Sequence, residues 1–308
     1  MHLASWPYPP RSHLLRSGLR MHFVDEGPRD GETLLCVHGN PSWGYLFRPL
    51  IAGLSDARRL VVPDHLGCGL SDQPRDARYR LEQHVDNLEQ LVLALDLTGI
   101  TLVLHDWGGA IGMGLAARQP QRVERLVLMN TAAFRAPRIP LRIAACRWPL
   151  FGELALLGGN AFVRAALSMA VERPLDAQAR AAYLAPFPSW GSRRAQLAFV
   201  RDIPMSAEHP SWPTLVAIEQ ALERFADRPC LLVWGERDWC FTGAFREEWQ
   251  RRFPRAERCS LEDAGHWLLE DAPERVVAAV RAFLERTQLE RTQLDRAQLE
   301  RDASARSS

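Results

Sequence analysis

Three side chains that could together perform nucleophilic catalysis follow apolar stretches of this 308-residue chain: Asp106, Asp238 and His266. A carboxylate held at a sharp turn can attack an electrophilic carbon and form a covalent ester. A histidine can activate water or stabilise charge, and a second carboxylate can fix the tautomer and orientation of its ring. The order along the chain therefore predicts Asp106 as nucleophile, Asp238 as acid and His266 as base.

The predicted nucleophile lies within residues 102–112, which read Leu-Val-Leu-His-Asp-Trp-Gly-Gly-Ala-Ile-Gly. An apolar run that meets a polar residue and then small residues predicts a strand, a tight turn and a helix packed close to that strand. Such a turn pushes its central side chain out at the carboxyl edge of a sheet. The alternative is that Asp106 only caps the helix that follows.

Two further residues could donate hydrogen bonds beside the nucleophile. Asn40 follows His-Gly at the end of an apolar run, and Trp107 directly follows Asp106. Their backbone N–H groups are predicted to form an oxyanion hole, and their side-chain N–H groups could bind an anion that leaves the substrate. The alternatives are that Asn40 shapes its turn, Trp107 only walls a pocket, Asp238 caps a loop and His266 is an ordinary surface histidine.

Short apolar strands that alternate with helical patterns predict an α/β fold with a mostly parallel sheet. The predicted strands are 19–26, 33–37, 59–63, 102–104, 123–129, 230–234 and 256–261, after an N-terminal arm at 1–18. Strand patterns vanish from 134 to about 213, which indicates a helical lid over the strand ends. We therefore predict a core at 19–132 and 214–285, a helical cap at 133–213 and a polar C-terminal tail at 286–308.

Most of the large apolar residues of the cap are predicted to pack it onto the sheet: Trp148, Phe151, Phe162, Met169, Phe187, Trp190 and Phe199. Residues 286–301 repeat with a period of five, which rotates a helix by about 500° per repeat and gives no common apolar stripe. This stretch is predicted to be a solvated helical extension or a disordered tail.

The composition limits the possible functions. With 47% hydrophobic residues and a net charge of +1, the chain is globular and has no electrostatic case for binding nucleic acid. It contains no lysine, which excludes Schiff-base chemistry, and its six cysteines form no C-x-x-C pair, as expected of reduced thiols in a cytoplasmic protein. No signal peptide, membrane span, metal-ligand cluster or nucleotide loop is predicted, so we expect no cofactor and no metal.

The motifs around these residues resemble those of the haloalkane dehalogenases over residues 19–285. The matching stretches are His38–Trp43, Pro63–Gly69, His105–Gly109 and Gly265–His266. The resemblance implies an α/β-hydrolase fold with Asp106 as nucleophile, His266 as base, and Asn40 with Trp107 as the halide-binding pair. Asn130 stands where one subfamily has its acidic residue, so the chain looks like the subfamily with an Asp–His–Asp triad.

Within that group the closer match is to the β-lactone decarboxylases of bacterial long-chain olefin biosynthesis, in residues 129–134, 202–204, 209–211 and 234–242. This resemblance implies conversion of cis-3-alkyl-4-alkyl-oxetan-2-ones to cis-alkenes and carbon dioxide. It also implies a small hydrophobic substrate and action in the cytoplasm beside a β-lactone synthetase and other olefin-pathway enzymes.

Other functions compete with this one. A haloalkane dehalogenase is the leading alternative. An epoxide hydrolase usually needs two lid tyrosines, and the predicted lid offers only Tyr183. A serine esterase is disfavoured because Asp106 occupies the tight strand-to-helix turn, called the nucleophile elbow, where such an enzyme carries its serine. A non-catalytic binding protein on the same scaffold would bind the substrate without turnover.

Overall fold

An eight-stranded sheet forms the centre of the protein, for which a computed structural model describes the backbone of residues 5–306 and the side chains of residues 5–293. The strands are β1 (Arg11–Leu14), β2 (Arg20–Glu26), β3 (Thr33–Val37), β4 (Arg59–Pro63), β5 (Ile100–Asp106), β6 (Val123–Thr131), β7 (Cys230–Gly235) and β8 (Glu257–Leu261). Their order across the sheet is β1-β2-β4-β3-β5-β6-β7-β8. β1 and β2 are antiparallel to their neighbours and the remaining pairs are parallel, which confirms the predicted mostly parallel sheet.

Helices cover both faces of this sheet. They are α1 (Arg48–Leu54), α2 (Leu81–Ala94), α3 (Trp107–Arg118), α4 (Leu141–Ala145), α5 (Ala161–Met169), α6 (Ala177–Leu184), α7 (Arg194–Arg201), α8 (Trp212–Ala221), α9 (Gly243–Arg252), α10 (Leu268–Asp271) and α11 (Pro273–Arg306). Among the described residues, no helix has both the length and the apolar character needed to cross a membrane.

The central strands are apolar on both faces because helices bury both sides of the sheet. On β3, Leu35 and Val37 belong to one core cluster, whereas Leu34 and Cys36 belong to the cluster on the opposite face. A continuous apolar run, rather than an alternating one, is therefore what this strand requires. All six cysteines lie within the described residues and are free thiols.

One strand was not expected. Residues 1–18 were predicted to be an arm, but Arg11–Leu14 form the edge strand β1, paired with β2 from Arg11↔Phe23 to Leu14↔Arg20. The side chains of β1 are mostly exposed, so only backbone hydrogen bonds attach it and no apolar alternation marks it in the sequence.

Between β6 and α8 the chain forms four short α-helices, α4 to α7, together with a π-helix at Glu153–Gly158 and a 3-10 helix at Gly191–Arg193. The proposed bounds of the core and the cap remain a prediction. The large apolar residues of the cap were expected to pack it onto the sheet, and this holds for Phe187 and Phe199, which are buried. It is wrong for the others, since Phe151, Phe162 and Met169 line a cavity and Trp148 and Trp190 are exposed.

The repeat at 286–301 continues α11, so of the two predicted forms the helical extension is present up to Arg306. Leu289 is 63% exposed, as the period of five predicts. Side chains from residue 294 onward, and residues 307–308 of the predicted tail, lie outside the described part of the chain.

Candidate active site

Asp106 ends β5 and α3 begins at the next residue, so the turn between them is as tight as predicted. Its backbone has φ +52° and ψ −124°, a conformation that non-glycine residues rarely adopt. A Cβ on Gly108 would lie 1.9 Å from the carbonyl oxygen of Val37, which shows why small residues must follow. The Asp106 side chain makes no capping hydrogen bond to α3, so the helix-cap alternative is wrong.

The structure brings the three predicted triad residues together. His266 Nδ1 lies 2.7 Å from Asp238 Oδ2, and His266 Nε2 lies 3.7 Å from Asp106 Oδ2. All three side chains are almost fully buried, so His266 is not a surface histidine. The hydrogen bond to Asp238 turns the Nε2 edge of the imidazole toward Asp106, which is the orientation a base needs.

Asp238 also stabilises its own loop, because Oδ1 accepts a hydrogen bond of 2.6 Å from the backbone N–H of Cys240. The loop-cap alternative and the triad assignment are thus both compatible with this residue, each through a different carboxylate oxygen.

The two oxygens of Asp106 have different surroundings. The backbone N–H of Asn40 donates to Oδ1 at 2.6 Å, while Oδ2 faces His266. A Cβ on Gly39 would lie 1.9 Å from Oδ1, so the close approach of this loop depends on glycine. Oδ1 is therefore held as an oxyanion would be, and Oδ2 is the atom placed to attack.

Both predicted anion-binding side chains lie in the wall of the same cavity as Asp106. Asn40 Nδ2 donates to the backbone oxygen of Gln196 at 3.1 Å, which fixes the amide against α7. The Trp107 ring meets Phe199 edge to face, with centroids 5.3 Å apart. Their binding of a leaving group remains a prediction.

Burial raises the pKa of the Asp106 carboxyl above its usual range. The charge of His266 and the backbone N–H groups of Asn40 and Trp107 act in the opposite direction but do not cancel this effect. The nucleophile is therefore a poorly solvated carboxylate.

Burial alone would lower the pKa of His266, but the charge and hydrogen bond of Asp238, followed by the charge of Asp106, raise it above its ordinary value near 6.5. For Asp238, burial alone would raise the pKa, and the His266 charge and the hydrogen bonds to this carboxylate lower it instead. This environment favours an imidazolium between two carboxylates.

Two buried residues that support the triad were not assigned a role from the sequence. Asn130, at the end of β6, donates to Asp238 Oδ2 at 2.9 Å and accepts from the backbone N–H of Gly235 at 2.8 Å. His105 Nε2 donates to the backbone oxygen of His266 at 2.8 Å, and burial lowers the pKa of His105 to about 3, so this ring is neutral. In the sequence, each of these two polar residues stands near the end of an otherwise apolar strand, and this is the signal by which they could have been found.

Asp106 and His266 open into a cavity of about 680 Å³ between the sheet and the helices that follow β6. Its walls are mainly apolar and include Ala110, Phe134, Ile143, Phe151, Phe162, Met169, Leu215 and Phe241. None of the four tyrosines, all of which lie within the described residues, lines it. Tyr183 instead donates to Glu270 Oε1 at 2.5 Å, so the two acidic donors that opening an epoxide usually requires are absent from this wall.

Comparison with known proteins agrees with this geometry. Residues 32–273 match the family model of the alpha/beta hydrolase fold. The chain is 45% identical to the cis-3-alkyl-4-alkyloxetan-2-one decarboxylase of Xanthomonas campestris pv. campestris, over 91% of this chain and 97% of the relative. It is 41% identical to the protein of the same name from Shewanella oneidensis, over 90% of this chain and 89% of the relative.

Among solved structures, the crystal structure of haloalkane dehalogenase DbeA from Bradyrhizobium elkani superposes with a TM-score of 0.84 and 29% identity, over 92% of this chain and 99% of that one. The chain therefore belongs to the alpha/beta hydrolase family, and within it to the group that comprises these decarboxylases and the haloalkane dehalogenases.

Proposed function

We propose that this chain is a β-lactone decarboxylase that converts cis-3-alkyl-4-alkyl-oxetan-2-ones to cis-alkenes and carbon dioxide. The observation that carries the proposal is the Asp106 carboxylate, which has Oδ1 bound by the Asn40 N–H and lies in the wall of a large apolar cavity. The names of the relatives from Xanthomonas and Shewanella support the choice of substrate.

In the proposed reaction, Asp106 Oδ2 attacks the ring carbon that bears the lactone oxygen, with inversion. The C–O bond of the ring breaks, and the electron pair leaves with the oxygen as a carboxylate that remains attached to the neighbouring carbon. The bond between that carbon and the carboxylate then breaks, its electrons form the alkene, and Asp106 is expelled as a carboxylate. Inversion followed by anti elimination converts a cis lactone to a cis alkene and consumes no water.

The surrounding residues fit two developing charges. Asn40 and Trp107 lie beside Asp106, where they would receive the carboxylate that the ring opening releases. A protonated His266, stabilised by Asp238, would favour the return of Asp106 as an anion in the second step. His266 thus acts mainly through its charge in decarboxylation.

The proposal includes the setting that the resemblance implies, namely action in the cytoplasm beside a β-lactone synthetase and other enzymes of olefin biosynthesis. Copurification of such a synthetase from cells that make long-chain olefins would support this part of the proposal.

A haloalkane dehalogenase is the second candidate, because the solved structures that superpose on the whole fold carry that name. Incubation with a synthetic cis-dialkyl β-lactone and, separately, with a 1-bromoalkane distinguishes the two. We expect the cis-alkene from the lactone, and loss of this product in Asp106→Ala. Release of bromide together with an unreacted lactone would instead establish the dehalogenase.

Turnover in water labelled with heavy oxygen tests the route. A dehalogenase hydrolyses its ester, which places label in the Asp106 carboxylate, whereas elimination leaves this carboxylate unlabelled. Label in Asp106 after lactone turnover, read by mass spectrometry of the peptide, would contradict simple elimination.

A further inference from the structure

Five large apolar side chains of the predicted cap are exposed to solvent within fourteen consecutive residues. We call them the cap patch: Leu141, Trp148, Leu150, Phe151 and Leu154, whose exposed fractions run from 52% to 86%. The other large apolar side chains that are exposed in the described part of the chain, such as Leu14 and Leu289, are far apart in sequence. Clustered exposure of this kind marks an interaction surface, whereas single exposed residues do not.

The segment that carries the patch is compact and two-sided. Backbone hydrogen bonds of 3.0 Å from Gly152 to Trp148 and 2.9 Å from Leu154 to Leu150 coil it into helical turns. On the inner side, Leu156 joins a small buried cluster with α7. The helical turns and the buried cluster with α7 thus hold the segment that carries the exposed leucines.

Leu150 has φ +66°, a strained conformation for a branched apolar residue, and its side chain is 77% exposed. Such strain at an exposed position indicates a role other than packing.

The charge around the patch has one predominant sign. Residues 138–154 contain three arginines (Arg138, Arg142 and Arg147) and one acidic residue, Glu153, so their net charge is 3 − 1 = +2. Glu153 is paired with Arg201 at 2.6 Å, which removes it as a counter-charge to these arginines. Apolar side chains that protrude among arginines are complementary to an anionic lipid surface.

The patch also adjoins the substrate cavity. Phe151 of the patch and the neighbouring Arg142 are exposed and line the cavity as well, so this end of the patch lies at the cavity mouth. If the proposed function is correct, both the dialkyl lactone and the alkene are apolar molecules that partition into lipid. The mouth would then open toward the phase that holds substrate and product.

We propose that the cap patch docks the protein on the surface of an anionic lipid bilayer, with the cavity mouth against the acyl chains. The contact is interfacial: leucine and tryptophan side chains enter the boundary between headgroups and acyl chains, while the exposed Arg138 and Arg142 contact lipid phosphates.

Vesicle flotation tests the proposal without any turnover, so its outcome is separate from that of the proposed function. The full chain is mixed with vesicles of equal parts phosphatidylglycerol and phosphatidylethanolamine, or with phosphatidylcholine alone. We expect binding to the anionic vesicles to be at least about tenfold stronger, and to weaken as salt is added.

The variant Leu141→Ser/Leu154→Ser should weaken binding to the anionic vesicles at least about tenfold. The matched control Leu14→Ser/Leu289→Ser removes two leucines elsewhere that are 66% and 63% exposed, and it should change binding less than about twofold. Circular dichroism and the thermal midpoint establish that both variants are folded.

Three results would overturn the proposal: no flotation with anionic vesicles, equal loss of binding in both double variants, or equal binding to both kinds of vesicle. Concentration-dependent self-association that only the patch variant abolishes, measured by sedimentation velocity, would assign the surface to contacts between copies of this chain instead.

Discussion

Asp106 is held in a conformation and in surroundings that both cost free energy. A non-glycine residue at φ +52° is strained by about 1–3 kcal/mol, and burial raises the pKa of its carboxyl group. The Asn40 N–H and the charge of His266 offset only part of the free-energy cost of burying the ionised carboxylate. A carboxylate that the fold solvates poorly gains from forming a bond to carbon, so the same features that destabilise the fold favour the reaction.

The variant Asp106→Asn tests this balance. It keeps the size of the side chain, but it removes the nucleophile and the poorly solvated charge. We expect turnover of a cis-β-lactone to fall by at least about 10³-fold. The thermal midpoint at neutral pH should stay equal or rise. A variant that keeps its turnover would exclude Asp106 as nucleophile, and a large fall in the midpoint would contradict the stated cost of the ionised group.

The pH dependence of the two candidate reactions should differ because they use His266 differently. Decarboxylation needs an ionised Asp106, so its rate should fall toward acid as this carboxyl takes up a proton, at a pH above the usual range of an aspartate. A charged His266 favours its second step, so the rate should also fall toward alkali as His266 loses its proton. Bromide release needs a neutral His266 to hydrolyse the ester, and the charge and hydrogen bond of Asp238, which persist in the ester, act to raise the pKa of His266.

Rate profiles for a lactone and a bromoalkane, measured on the same preparation, should therefore lose activity toward acid at different pH values, the bromoalkane at the higher one. Coinciding acid limbs would show that His266 acts as a base in both reactions.

At the scale of the elements, the site depends on how the ends of β5, β6 and β7 are held together. Asn130 at the end of β6 bonds to the backbone of Gly235 at the end of β7 and to Asp238 in the next loop. His105 of β5 bonds to the backbone of His266. These bonds fix the acid and the base relative to the strand that carries the nucleophile, so they position the triad without contacting the substrate.

Replacing Asn130 by Ala should remove this support. We expect a loss of about 1–3 kcal/mol in the free energy of unfolding, because the bonds to Gly235 and Asp238 are buried. The alkaline limb of lactone turnover should also shift, since Asp238 would hold the charged His266 less well. Urea unfolding and the rate profile measure the two effects.

Asn160→Ala is the matched control for this variant. Asn160 is also buried and left-handed, with φ +51°, but it bonds to Phe187 in the predicted cap. Asn160→Ala should lower the free energy of unfolding without shifting the pH dependence of the rate. Equal shifts in both variants would show that Asn130 has only a structural role.

The sequence was sufficient for the features that local chemistry determines. The strand before Asp106 and the glycines after it predict the elbow, and the order Asp106, Asp238, His266 predicts which strand ends meet. β1 could not be predicted, because backbone pairing alone attaches it. The partners of Asn130 and His105 lie 105 or more residues away along the chain, so only the fold reveals them. The exposure of Trp148 was mispredicted because apolar character alone does not tell an inner from an outer face.

At the scale of the whole molecule, the cavity between the sheet and α5 should select substrates by the length of their alkyl chains. Ala165 of α5 lines this cavity, so Ala165→Trp would fill part of the space that a long chain needs. We expect kcat/KM for a long-chain cis-β-lactone to fall about tenfold or more, while a short-chain lactone that reaches only Asp106 changes less than about twofold.

Ser168→Trp is the matched control for this prediction, because Ser168 lies on the same helix, is exposed and does not line the cavity. It should leave both substrates unaffected. Product formation with a series of chain lengths measures the effect. A filled cavity removes contacts to the alkyl chain and leaves Asp106 in place, so the loss of kcat/KM should grow with the length of the alkyl chain. An equal loss at every length would place the alkyl chains outside this cavity.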